Sequence, residues 1–185
     1  MTDIEKRFKL VLLGDKRSGK SAFIRRFVNS KFTDIYVATL GVDVHPVPCQ
    51  TNYGNYVLDV WDTAGDPKHG GLTDGYYIGA NACIVFHDDQ SDETLISRRL
   101  FRFKRMCPTA TIIEVWNKVD LPNELARYQQ YLNNHNIRQG SNSASNDFGY
   151  FIDISAKTSH NIHTPFNTLL RKLTNHPNLS ILGYN

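Results

Sequence analysis

Short apolar runs alternate along the chain with longer stretches in which apolar residues recur at helical spacing. That pattern predicts a parallel sheet flanked by helices. Residues 8–13 read as a buried first strand whose end runs straight into a Gly-rich turn. Residues 21–28 then read as a helix with Phe23, Ile24, Phe27 and Val28 inward. Residues 56–61 alternate, putting Tyr56, Leu58 and Val60 on one face of a strand. Further core strands are predicted over residues 82–86, 112–116 and 151–154. Phe166, Leu169, Leu170 and Leu173 fall at i, i+3, i+4 and i+7, the apolar face of a helix. Residues 133–147 turn to Asn, Ser and Gly and read as a flexible loop. No internal repeat is visible, so a single domain over residues 1–185 is expected.

Composition narrows the class. A chain of 185 residues can bury one sizeable core, and 41% hydrophobic with 21% charged residues fits a soluble globular protein. The net charge of +3 is spread along the chain, whereas nucleic-acid binders mass Lys and Arg on one face. Cys49, Cys83 and Cys107 lie far apart without a C-x-x-C pair, which suggests reduced thiols, not a disulfide framework or a metal site. No apolar run approaches a membrane span, residues 1–7 lack the apolar segment of a secretory signal, and no cysteine near Asn185 could carry a prenyl anchor. The expectation is a soluble intracellular monomer with neither nucleic acid nor membrane as a partner.

Four short elements carry the candidate chemistry. Gly14-Asp15-Lys16-Arg17-Ser18-Gly19-Lys20-Ser21 matches G-x-x-x-x-G-K-[ST] between a predicted strand and a predicted helix. Such a loop closes backbone N–H groups around phosphate oxygens, and the helix start adds its positive end. Lys20 is expected to reach the β- and γ-phosphates, and the Ser21 hydroxyl to ligate Mg²⁺. Asp62-Thr63-Ala64-Gly65 ends a strand: Asp62 is placed to hold Mg²⁺ through water, and Gly65 to offer its N–H to a γ-phosphate. Asn117-Lys118-Val119-Asp120 follows another strand, where the Asp120 carboxylate can accept from guanine N1–H and the exocyclic amine, a donor pair adenine lacks. Ser155-Ala156-Lys157 could meet the guanine O6 through the Ala156 N–H. All four fall at strand C-terminal ends, where doubly wound sheets bind ligands.

This order of motifs resembles that of the Ras-like small GTPases. Residues 37–46 and 70–78 are similar to the two switch segments of the Ran family, and Lys172-Leu173 with Pro177-Asn178-Leu179 to the end of its last core helix. The resemblance implies an α/β P-loop NTPase fold, the Ras-like G domain: a mostly parallel six-stranded sheet with helices on both faces. It implies GTP/GDP and Mg²⁺ as ligands, with Thr39 joining Ser21 and Asp62 at the metal. Phe32 would pack against the guanine and Tyr36 would cover the phosphates. Importin- or exportin-type carriers, an exchange factor and a GTPase-activating protein are the implied partners, and nucleus and cytoplasm the implied location.

The sequence also departs from that family. Asp66 stands where the glutamine that orients the attacking water is usual, and Lys16 and Arg17 stand where the Ran family has glycines. Both changes lead to an expectation of GTP binding with slow hydrolysis. The alternative is a hydrolysis-deficient module that holds GTP and competes for Ran partners. The sequence ends at residues 180–185, whereas the Ran family continues into a linker, a helix and an acidic tail, and this difference is expected to favour the GTP-like conformation. His69 replaces a phenylalanine used in carrier docking, and Asp88-Asp89 reads as a solvated acidic loop. His160 and His163 show no metal-ligand spacing.

Overall fold

The structure, a computed structural model, describes residues 6–66, 73–135 and 150–183. Its first strand, β1 (Lys6–Gly14), alternates between two cores. Leu10 and Leu12 enter one with Phe23 and Phe166, while Val11 and Leu13 enter the other with Ile96 and Phe103. The same period of two runs along β4 (Ala82–His87), where Ala82, Ile84 and Phe86 face the first core and Cys83 and Val85 the second. A segment buried on both faces must read as a continuous apolar run, as residues 10–13 of β1 and 82–86 of β4 do.

The remaining elements follow in chain order: α1 (Lys20–Asn29), β2 (Val42–Thr51), β3 (Gly54–Thr63), α2 (Thr73–Tyr77), α3 (Glu93–Met106), β5 (Thr111–Trp116), α4 (Pro122–Asn134), β6 (Tyr150–Asp153), α5 (Thr164–Thr174) and β7 (Ile181–Gly183). Helices α1 and α5 cover one face of the sheet through Phe23, Phe27, Phe166, Leu169 and Leu170. Truncating the fully buried Phe166 to alanine costs about 3–5 kcal/mol, as for other core aromatics. Helix α3 covers the opposite face; Asp92 caps it by accepting from Thr94 N at 2.9 Å and Leu95 N at 3.1 Å.

The strand order is β6-β5-β4-β1-β3-β2-β7. Pairs from β6 through β3 are parallel, and β2 is antiparallel to both β3 and β7. Among the described residues the sheet therefore has seven strands, not the six expected. The additional one has only three residues, too few for a periodic signal. Asn52 fixes it there by donating from Nδ2 to Asn178 O at 3.1 Å and accepting from Ser180 N at 2.8 Å. Pro46 and Pro48 sit in the stretch of β2 that β7 does not pair, where a missing N–H is tolerated.

Two expectations about loops meet the structure differently. Asn133 and Asn134 belong to the last turn of α4, and residues 136–149 lie outside the described residues. Pro67, Lys68, His69 and the segment through Leu72 also lie outside them. The parallel register brings Gly14 beside Phe86, Leu12 beside Asp62, and Trp116 beside both His87 and Asp153. One end of the sheet thus gathers the loops after β1, β3, β5 and β6.

Candidate functional site

The loop from Gly14 to Ser21 turns on three residues with positive φ, Gly14 at 147°, Arg17 at 64° and Gly19 at 92°. Glycine is required at 19 for space as well: a Cβ there would stand 2.1 Å from Asn117 Nδ2. Lys20 folds back over the loop, donating from Nζ to Gly14 O at 3.0 Å and Asp15 O at 2.9 Å. Burial pulls its pKa down to about 8, against the opposing pull of Asp62. The loop borders a crevice of 860 Å³. Lys16 and Arg17 are exposed at its rim, and the Arg17 guanidinium lies 5.1 Å from the centre of the Tyr36 ring.

Three oxygen-bearing side chains converge beside this loop. Ser21 Oγ donates to Asp62 Oδ2 at 2.5 Å and stands 3.0 Å from Thr39 Oγ1. Among the described residues, Asp62 Oδ1 is buried without a hydrogen-bond partner, and burial raises the pKa of this carboxyl. A hard cation takes oxygen donors, and a buried carboxylate with an orphaned oxygen is the charge it would satisfy. The set fits Mg²⁺. Among the described residues, no group of three or more His, Cys, Asp or Glu side chains is placed to hold a metal.

At the other end of the crevice, Asn117 ties two loops together. Its Nδ2 donates to Ser18 O at 2.9 Å, and its Oδ1 accepts from Ala156 N at 3.2 Å. Asp120 lines the crevice and is oriented by Ser155 Oγ, which donates to Asp120 Oδ1 at 2.6 Å. Arg26 of α1 donates to Ala156 O at 2.8 Å and Lys157 O at 2.6 Å, so the helix behind the phosphate loop also carries the loop after β6. Phe32 lines the crevice with the Arg26 guanidinium 5.6 Å from its ring centre.

Most sequence-predicted site residues border this crevice, but five do not. Asp15 turns away toward α3, accepting from Asp92 N at 2.7 Å. Ser18, Asp62 and Ser155 act from behind the wall through the bonds above, and Asp66 is half-buried after Gly65. One expectation is corrected: Asp88 is not solvated. It is buried, accepts from Ser91 Oγ at 2.8 Å, and pairs with Lys118 Nζ at 2.5 Å. A loop that follows a strand inside the sheet is held against its neighbours, whatever its charge. His87 is likewise buried: its Nε2 lies 2.8 Å from Glu114 Oε2 and its Nδ1 3.5 Å from Glu93 Oε1. Burial alone would lower its pKa, but these two carboxylates outweigh that and raise it to about 9.

Arg99 escaped the sequence reading. From α3 its Nη1 donates to Gly14 O at 2.5 Å and its Nη2 to Gly65 O. One arginine on an arginine-rich helix carries no local signal; only the fold brings it to these carbonyls.

A phosphate-type loop, an oxygen-only cation set and a side-chain pair beside Asp120 at one end of a doubly wound sheet define a P-loop nucleotide-binding protein. The Ras family model matches residues 9–175, and the chain belongs to the Ras family. It is a small GTP-binding protein of α/β fold. Proteins of this family bind guanine nucleotide and Mg²⁺ and generally act with exchange factors and GTPase-activating proteins.

Proposed function

We propose that this chain is a Ran-type GTP switch in nucleocytoplasmic transport, moving between nucleus and cytoplasm and presenting its switch segments to importin- or exportin-type carriers. The observation that carries the switch reading is the meeting of Thr39 with Ser21 and Asp62. Thr39 lies on the long segment between α1 and β2, so a residue of a mobile class of loop completes the cation set. Ser21, Thr39 and, through water, Asp62 would hold Mg²⁺, which when bound neutralises phosphate charge. Lys20 and the N–H groups after Lys16 bind phosphate, Asp120 selects guanine, and Asn117 keeps the two readers in register. The Ran assignment itself is supported by the sequence of both switch segments.

Hydrolysis is slow in this reading. Asp66 is short and anionic where a neutral amide would orient water, and loss of one such group costs about 2.7–4 kcal/mol of transition-state stabilisation. That same residue supports the second reading, a module that holds GTP and competes for Ran partners. Nucleotide loading followed over hours separates them: bound GTP converting to GDP favours the working switch, and persistent GTP the module. Capture of importin β by the GTP form, but not the GDP form, tests the pathway. Equal capture by both refutes it.

A further inference from the structure

Arg99 joins three segments that no motif connects. Its two terminal nitrogens span Gly14 O and Gly65 O, and Nη1 stands 3.9 Å from Asp15 Oδ1. Among the described residues, that Asp15 oxygen is buried without a hydrogen bond, while Oδ2 is fixed by Asp92 N. The carboxylate thus has a set aim, and the guanidinium is the charge facing it. Arg99 is itself mostly buried, at 14% exposure. A guanidinium is a rigid fork able to bridge two acceptors at once, which an ammonium cannot reproduce with the same geometry. Gly65 is also held by contact: a Cβ there would stand 2.4 Å from Lys16 N and 2.6 Å from Asp15 O. Gly65, the last residue of the Asp62-Thr63-Ala64-Gly65 element, is therefore pressed against the phosphate loop and fastened to it by one side chain.

We propose that Arg99 is a positioning residue for the third phosphate, fastening the Gly65 carbonyl so that the Gly65 N–H is laid out in advance for a nucleoside triphosphate. The inference rests on the GTP-switch reading and goes beyond it by naming what sets the preference between GTP and GDP. A diphosphate has no group to meet Gly65, so it does not draw on the Gly65 arm of the clamp, and any loosening of the phosphate loop through Gly14 weakens both nucleotides and cancels in their ratio. A triphosphate bound without the clamp must order Gly65 at the moment of binding, and that ordering is subtracted from its affinity. Charge alone acts differently: a cation near Lys20 attracts both nucleotides.

The test measures the affinities of GDP and of non-hydrolysable GTPγS, at fixed Mg²⁺, for the wild-type chain, Arg99→Met and Arg99→Lys. Both variants are expected to lose about tenfold in GTPγS affinity relative to GDP, the scale of one charge-assisted bond. Arg99→Lys keeps the charge beside Asp15 and remains measurable if Arg99→Met does not fold. An unchanged GTPγS:GDP ratio in Arg99→Met overturns the proposal, as does a ratio fully restored in Arg99→Lys. A wild-type chain that binds neither nucleotide refutes instead the GTP reading on which it stands.

Discussion

Nucleotide binding should take up a proton above pH 8, and Lys20 is the reason. In the free protein its ammonium is buried among the carbonyls of Gly14 and Asp15, and burial lowers its pKa from 10.5 to about 8. Polyphosphate brings several negative charges to the same place and favours the charged form again. At pH 7 only about one lysine in eleven has lost its proton, so affinity is nearly flat there and below. At pH 9 only about one free molecule in eleven carries the proton, so affinity falls about tenfold, or about 1.4 kcal/mol. The assay is titration calorimetry with GDP at pH 7 and pH 9, in buffers of different ionisation heat. The expected result is uptake of about 0.9 proton per nucleotide at pH 9 and almost none at pH 7, by the same arithmetic. Lys20→Arg, whose guanidinium keeps its proton throughout, removes that uptake and leaves only the titration of the base. Equal proton uptake in the wild type and Lys20→Arg would show that burial of Lys20 has no such effect.

Three further outcomes are expected. Asn117→Ala strips partners from the buried Ser18 carbonyl and Ala156 amide; at about 1–3 kcal/mol each, urea unfolding should show a loss of about 2–6 kcal/mol, and an unchanged midpoint would contradict the tie described above. His87, raised from 6.5 to about 9, contributes stability that is complete below pH 6.5 and lost as pH rises through 9, in all about 3 kcal/mol. The stability difference between wild type and His87→Gln should therefore shrink from pH 6 to pH 9.5 in parallel denaturant melts, and a constant difference would mean the imidazole is neutral. Asp66→Gln should raise the single-turnover GTP hydrolysis rate by about tenfold or more, whereas an equal or lower rate would clear Asp66 of blame for slow chemistry.

Much of the fold was legible because the buried strands are short and strongly apolar. Residues 8–13 and 82–86 fall inside β1 and β4, and the heptad-like set from Phe166 to Leu173 falls inside α5. Strand β2 gave no such signal from its own pattern, since it lies outside the central strands and carries two prolines. The crevice was legible to the extent that each motif sits on a local backbone requirement, such as positive φ at Gly19 with Asn117 pressed against it. What stayed hidden is held by long-range contact. Asp88 looks like an exposed acid until Lys118, 30 residues away, is brought to it. Arg99 looks like one of several surface arginines until Gly14 and Gly65 arrive, 85 and 34 residues distant. Asp15 reads as a phosphate-loop residue, yet its carboxylate serves α3.

The short final strand has a consequence for how the molecule meets copies of itself. A sheet edge offers a row of unpaired donors and acceptors on which another chain can grow. Among the described residues the two outermost strands are the shortest, with four residues in β6 and three in β7. Where β7 leaves β2 uncovered, Pro46 and Pro48 delete two donors from the exposed row. A long antiparallel strand that would otherwise invite fibre-like addition is shielded at one end and chemically interrupted at the other.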